Sequence, residues 1–321
     1  MPHVYHMKYH LYFHEDLDGA ASGAVMLNFL RGRGEDIASY NPLEYNVKLG
    51  RKWIRYAFKK PFILVDFRYH PKADWWFDHH DTSFDKPADK NWKKSYKNDK
   101  THLSNPLFKS CCSMIVYHLK KNYSYRPPKY ILELAKEVDF VDAADFKNPK
   151  EAVSCRKSIL KLTALMDNTG YMVQGANLVK ALADYKISEI ISRPSLKKKI
   201  AKYIKDTNIT LKAVRDNSKL YGDLAAVVDA SNIKGSVFHM LVYAVYPKPK
   251  YSIIIKKVDV GYKLGVGVNR WVKKMGQADI SKLMSKYGGG GHKTVGGLER
   301  SSKKEIMQIV EEIIEYLNKN G

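Results

Sequence analysis

The chain has 321 residues, with 55 Lys+Arg against 33 Asp+Glu, a formal net charge of +22 and 45 % hydrophobic residues. This composition excludes wholesale disorder, and the length supports a sizeable core and about two domains. No apolar run approaches the roughly 18 residues of a membrane span, and the polar N-terminus lacks the apolar segment of a secretory signal. A soluble, cytoplasmic protein with no membrane partner is expected. Cys111, Cys112 and Cys155 form no disulfide framework and no CxxC pair, and read as reduced, small apolar residues. The positive excess is mostly lysine and predicts attraction to polyanions without naming one.

In chain order, Lys8–His14 reads as a strand, residues 20–30 as a helix with Ala24, Leu27 and Leu30 on one side, and Pro61–Val65 and Asp74–Phe77 as further strands. Strand, helix and strand at this spacing predict a parallel α/β sheet. In such sheets ligand groups collect beyond the carboxyl ends of the strands. Residues 85–100 are polar and read as an exposed loop. Helices are predicted over Ser110–Lys120 and Ile131–Asp145, followed by a lysine-rich helical connector over Pro194–Leu220. The texture then turns strand-like, at Leu224–Asp229, Val237–Tyr246, Tyr251–Lys256 and Tyr262–Val268. A helix over Ala278–Tyr287 leads into four glycines and His292. The last helix opens with the capping box Ser302-Lys303-Lys304-Glu305 and carries an apolar face from Ile306 to Leu317. The expected architecture is α/β: an N-terminal parallel-sheet domain (1–194), a helical connector (195–221) and a smaller C-terminal α/β domain (222–321).

Chemistry gathers at the ends of the early strands. His14-x-Asp16-x-Asp18 crowds negative charge into one turn, which a cation would relieve. Carboxylates with imidazole suit Mn2+, Mg2+ or a similar divalent ion. The competing reading is that Asp16 and Asp18 only cap the following helix. In Asp78-His79-His80-Asp81, one imidazole can bind metal, its neighbour can face substrate, and an adjacent Asp can fix a ring tautomer. With Asp66 and one of Asp139 or Asp142, these groups exceed what one ion requires. Two ions bridged by Asp66 would use them and would suit an in-line phosphoryl displacement. His80 would then orient the phosphate or protonate the leaving oxygen. The glycine run, with His292 and Lys293, would let backbone amides approach a phosphate. Arg270 could grip one bidentately.

The runs HEDLDGAAS (14–22), VD (65–66), DHH (78–80) and GGGGHKTVGG (288–297) resemble the DHH phosphoesterase superfamily. The closer likeness is to its branch with a DHH-associated C-terminal domain, which holds oligoribonuclease-like and RecJ-like enzymes. It covers roughly 8–150 and 222–300. The resemblance implies an active-site cleft between the two domains and two Mn2+ ions, with Mg2+ or Co2+ as alternatives. It implies metal ligation by Asp16, Asp18, Asp66, Asp78 and His79, and by an Asp of VDFVDAADF (138–146). There Asp142 matches better and Asp139 is the competitor. His14 stands two residues before Asp16, where RecJ-like members carry Asp. The oligoribonuclease branch has a His four residues before, a position that is Tyr12 here. Asp78 and His80 are implied in catalysis, and Asn269, Arg270, Gly289, Gly290, Gly291, His292 and Lys293 in substrate binding. The implied activity is hydrolysis of short oligonucleotides or dinucleotides to mononucleotides. Alternatives are a hydrolase acting on 3′-phosphoadenosine phosphate, pyrophosphate or polyphosphate, and an inactive nucleic-acid-binding module. A homodimer is left open.

Overall fold

The computed structural model describes residues 7–44, 52–84, 89–169 and 175–320. The chain divides into two compact units, residues 1–145 with 157–200, and residues 146–156 with 201–321.

In the first unit β1 (Lys8–His14), β2 (Asp36–Leu43), β3 (Phe62–Val65), β4 (Trp75–Asp78) and β5 (His102–Ser104) form a parallel sheet in the order β2-β1-β3-β4-β5. Every residue of β3 and β4 is buried, as expected of parallel strands covered on both faces. Tyr12, Phe62, Leu64 and Trp76 join Trp53 and Phe67 in one cluster. The parallel neighbours β1 and β2 need a crossover, supplied by α1 (Leu17–Arg31), whose residues from Leu17 to Leu27 are all buried. Asp16 caps this helix by accepting from the Gly19 amide. A side chain at Gly19 would lie 2.1 Å from the His14 carbonyl oxygen. The missing Cβ therefore lets the helix start directly over the end of β1, where His14 and Asp16 stand.

The stretch predicted as a polar loop at 85–100 contains a helix, α2 (Asp89–Ser95); residues 85–88 lie outside the described residues. A single apolar residue, Trp92, packed on the core cluster, left no apolar period to reveal this short helix. Next come α3 (Cys111–Tyr123) and α4 (Lys129–Asp142). The Ser110 hydroxyl caps α3 by accepting from the Ser113 amide at 3.1 Å, and donates to Asp139 at 2.5 Å. Ser110→Ala is expected to lower stability by about 1 kcal/mol, measured by denaturant unfolding. The helix α5 (Pro149–Val153) belongs to the second unit, while α6 (Ser158–Thr169), α7 (Gly175–Asp184) and α8 (Ile187–Ser192) belong to the first. The long helix α9 (Pro194–Asp216) carries the chain onward.

The second unit holds β6 (Ser218–Tyr221), β7 (Ala225–Asp229), β8 (Tyr251–Lys257), β9 (Tyr262–Val268), β10 (Gly290–His292) and β11 (Val295–Arg300), in the order β10-β11-β9-β8-β7-β6. Its helices after α9 are α10 (His239–Val245), α11 (Ile280–Ser285) and α12 (Lys303–Asn320). Ile306, Ile309, Val310, Ile313 and Leu317 of α12 pack on Ile253, Leu264 and Val266 of the sheet. The predicted strand over Val237–Tyr246 is instead the helix α10. An apolar run of that length does not distinguish strand from buried helix. The parallel pairing of β7 with β8 decides it, because that connection must cross over.

His239 lies against Gly265 and Gly267 of β9, and its Nδ1 is 2.7 Å from the Ser252 hydroxyl. Burial, and then the charge of Lys256, push its pKa down to about 4. A depressed imidazole contributes stability that is complete above about pH 6.5 and declines as the pH falls towards 4. The second unit is therefore expected to lose about 3 kcal/mol over that window, and His239→Gln to flatten the loss in pH-dependent unfolding. Among the described residues no helix is long and apolar enough to cross a membrane.

Candidate metal centre

The carboxyl ends of β1, β3 and β4 bring the early motifs together. His14 ends β1, Asp66 follows β3, Asp78 ends β4, and His79 and His80 follow it. His14 Nδ1 is 2.8 Å from Asp16 Oδ2 and 3.5 Å from Asp66 Oδ2. His79 Nε2 is 3.4 Å from Asp18 Oδ2, 3.4 Å from Asp142 Oδ2 and 3.7 Å from Asp66 Oδ1. Three overlapping donor sets result: His14 with Asp16 and Asp66, Asp66 with His79 and His80, and Asp18 with His79 and Asp142.

Asp66 is fully buried, and neither carboxylate oxygen has a hydrogen-bond partner. Its backbone is left-handed, at φ 54°, a conformation Asp tolerates better than most residues. Burial, then the carboxylates of Asp18, Asp16, Asp78 and Asp142, push its pKa well above the usual range. Burial, then Asp142 and Asp16, do the same to Asp18. Buried carboxylates this crowded and this poorly solvated fit divalent cations. Asp16 combines both predicted roles, since Oδ1 caps α1 while Oδ2 faces His14.

Other groups aim these donors. Asp18 accepts from the amides of Cys111 at 2.6 Å and Cys112 at 2.9 Å, so its carboxylate sits on the positive N-terminus of α3. His79 Nδ1 donates to the Phe108 carbonyl at 3.2 Å, which leaves the Nε2 lone pair turned to the carboxylates. Asp78 stands behind His80 and outside the donor sets. It accepts from His80 Nδ1 at 2.8 Å and from the Ser83 hydroxyl at 2.5 Å. Burial opposes a charge on His80, but the hydrogen bond and charge of Asp78, with Asp142 and Asp18, outweigh it and raise its pKa to about 9. Sequence reasoning missed the α3 amides, Ser83 and the Phe108 carbonyl. Only the first had a signal, a helix-capping Ser at position 110.

Of the two Asp candidates on α4, Asp142 is at the cluster and Asp139 is held by Ser110. A cavity of about 530 Å3 opens beside Asp16, Asp18 and Asp142, with Pro42, Val141 and Met166 among its apolar walls.

In the second unit the glycine run is a β-hairpin rather than an open loop, with Gly290, Gly291 and His292 opposite Gly297, Gly296 and Val295. A side chain at Gly291 would meet the Gly296 Cα at 2.3 Å, and its φ is +148°. Gly289 precedes the hairpin strand, and His292 and Lys293 are exposed at its tip. Arg270 is exposed beside Trp271, its guanidinium carbon 5.9 Å from the ring centre. Asn269 is not available to a substrate. It is fully buried, its amide donates to the Pro247 and Pro249 carbonyls, and its side-chain oxygen accepts from the Trp271 amide.

No protein-family profile and no curated protein matches the chain. Solved structures do. A pGpG-specific phosphodiesterase, PggH from Vibrio cholerae, has a TM-score of 0.76 at 21 % identity, over 98 % of this chain and 100 % of that one. RecJ in complex with Mn2+ from Thermus thermophilus has a TM-score of 0.59 at 12 % identity, over 97 % of this chain and 52 % of that one. A manganese-bound exonuclease RecJ has a TM-score of 0.55 at 12 % identity, over 97 % and 90 %. The chain has the fold shared by these DHH-superfamily proteins.

Proposed function

We propose that this chain is a metal-dependent phosphoesterase that hydrolyses phosphodiester bonds of short oligonucleotides or dinucleotides. The observation that carries the reading is Asp66, a buried carboxylate without hydrogen-bond partners, shared between two sets of donors. The fold of a pGpG phosphodiesterase and of RecJ supports it.

His14, Asp16 and Asp66 would hold one divalent ion, and Asp18, Asp66, His79 and Asp142 a second, with Mn2+ the first choice. Such ions supply Lewis-acid polarisation of phosphoryl oxygens and acidify water. The chain's own groups do the rest. His80 keeps a proton at neutral pH because Asp78 accepts from its Nδ1, and its imidazolium would hydrogen-bond a phosphoryl oxygen or protonate the leaving oxygen. The apolar wall at Val141 and Met166 gives a base or ribose a place beside the carboxylates. Exposed His292, Lys293 and Arg270 remain candidate phosphate contacts.

The test is a substrate panel with Mn2+ and with EDTA: short RNA and DNA, linear and cyclic dinucleotides, 3′-phosphoadenosine phosphate and polyphosphate. Mononucleotide release with Mn2+, abolished by EDTA, is expected. Turnover confined to 3′-phosphoadenosine phosphate or polyphosphate, or undiminished in EDTA, would overturn the reading.

A further inference from the structure

The helices α3 and α4 enclose a groove of about 630 Å3. Val116, Leu132 and Ala135 line it with apolar surface, and Asp139 lines it one helical turn before Asp142 of the metal centre. The Asp139 carboxylate is already engaged by Ser110. Lys120, Lys121 and Lys136 also line the groove, and among the described residues none of them pairs with a carboxylate. Tyr117 is 52 % exposed, with the Lys121 ammonium 5.9 Å from its ring centre and the Phe108 ring at 5.5 Å. Phe108 is the residue whose carbonyl fixes His79, and its neighbour Leu107 is 90 % exposed. An exposed apolar surface thus links the loop behind His79 to the groove.

Cations beside an apolar floor and a half-exposed ring match a single nucleic-acid strand, whose phosphates pair with ammonium groups while its bases stack. An acidic peptide would satisfy the lysines but leave the ring and floor uncovered. Along α4, Leu132 to Asp142 is about 15 Å, well beyond one phosphodiester bond. Resting on the phosphodiesterase reading above, we propose that this groove holds the part of a single-stranded oligonucleotide that lies beyond the cleaved bond. Tyr117 stacks on a base, and Lys120, Lys121 and Lys136 take the phosphates.

The test is fluorescence anisotropy of a labelled single-stranded pentanucleotide with the full chain in EDTA, over a salt series. Tyr117→Ala is expected to weaken binding about tenfold, and Tyr117→Phe to retain it. The double variant K120A/K121A is expected to reduce the slope of log affinity against log salt by about 1.4. Unchanged affinity and slope in both variants would overturn the groove. So would a wild-type dimer that Tyr117→Ala converts to monomer, which would assign the surface to a second copy. Binding does not depend on turnover: if the pentanucleotide binds as expected but Mn2+ supports no hydrolysis, the phosphodiesterase reading fails and the groove stands.

Discussion

Asp66→Asn is expected to lower Mn2+-dependent turnover about a thousandfold, the several kcal/mol that a correctly held cation supplies to a phosphoryl transition state. Asn keeps the shape and tolerates the left-handed backbone at this position, so the change isolates the charge. Two of the three donor sets share this carboxylate, so the number of ions bound is expected to drop below two in calorimetric titration. A second readout has the opposite sign. In EDTA the wild-type chain buries Asp66 among the carboxylates of Asp18, Asp16 and Asp78, and burying an unpaired charge beside like charges is costly. The metal-free variant is therefore expected to melt at a higher temperature than the metal-free wild type, and to gain less on adding Mn2+. A variant that melts lower in EDTA would make Asp66 a structural residue and remove the centre of the scheme. Asp139→Asn, one turn away on α4, is expected to leave the metal stoichiometry unchanged, whereas Asp142→Asn lowers it.

His80→Ala is expected to reduce kcat by about 100- to 10,000-fold, the range of a positioned general acid, with both metal ions still bound. His79→Ala is expected to lower metal binding as well, because His79 faces Asp18, Asp66 and Asp142. Asp78→Asn keeps the fold of the loop but weakens the acceptor on His80 Nδ1. It is expected to cost about 10- to 100-fold, mostly in kcat, and to move the basic limb of the pH–rate profile downward. The direction follows from the geometry. Asp78 holds the His80 pKa up at about 9, and a proton held less firmly leaves at lower pH. A His80→Ala enzyme with undiminished kcat would remove the proton-holding role.

Much of the candidate metal centre was legible because its residues are clustered locally and chemically distinctive. His14, Asp16 and Asp18 lie within one turn, Asp78 to His80 are contiguous, and the apolar runs PFILV and DWWF announce the strands that carry Asp66 and Asp78. Strand ends of a parallel sheet converge by topology, so separate motifs predicted a common place. What local pattern did not settle was decided by packing. Asp139 and Asp142 share one face of α4, and only the position of Ser110 at the start of α3 determines which one is captured. Asp78 looks like a ligand in sequence, but the fold turns its carboxylate to His80 and Ser83. Asn269 sits at a strand end beside Arg270, yet burial commits its amide to the Pro247 and Pro249 carbonyls. The run VFHMLVYAVY is equally apolar as strand or helix, and the parallel pairing of β7 and β8 makes it a helix. Residue chemistry, spacing and the family resemblance thus named the candidate donors. Their direction was a tertiary matter, because a side chain's available hydrogen-bond partners depend on which neighbours the fold brings to it.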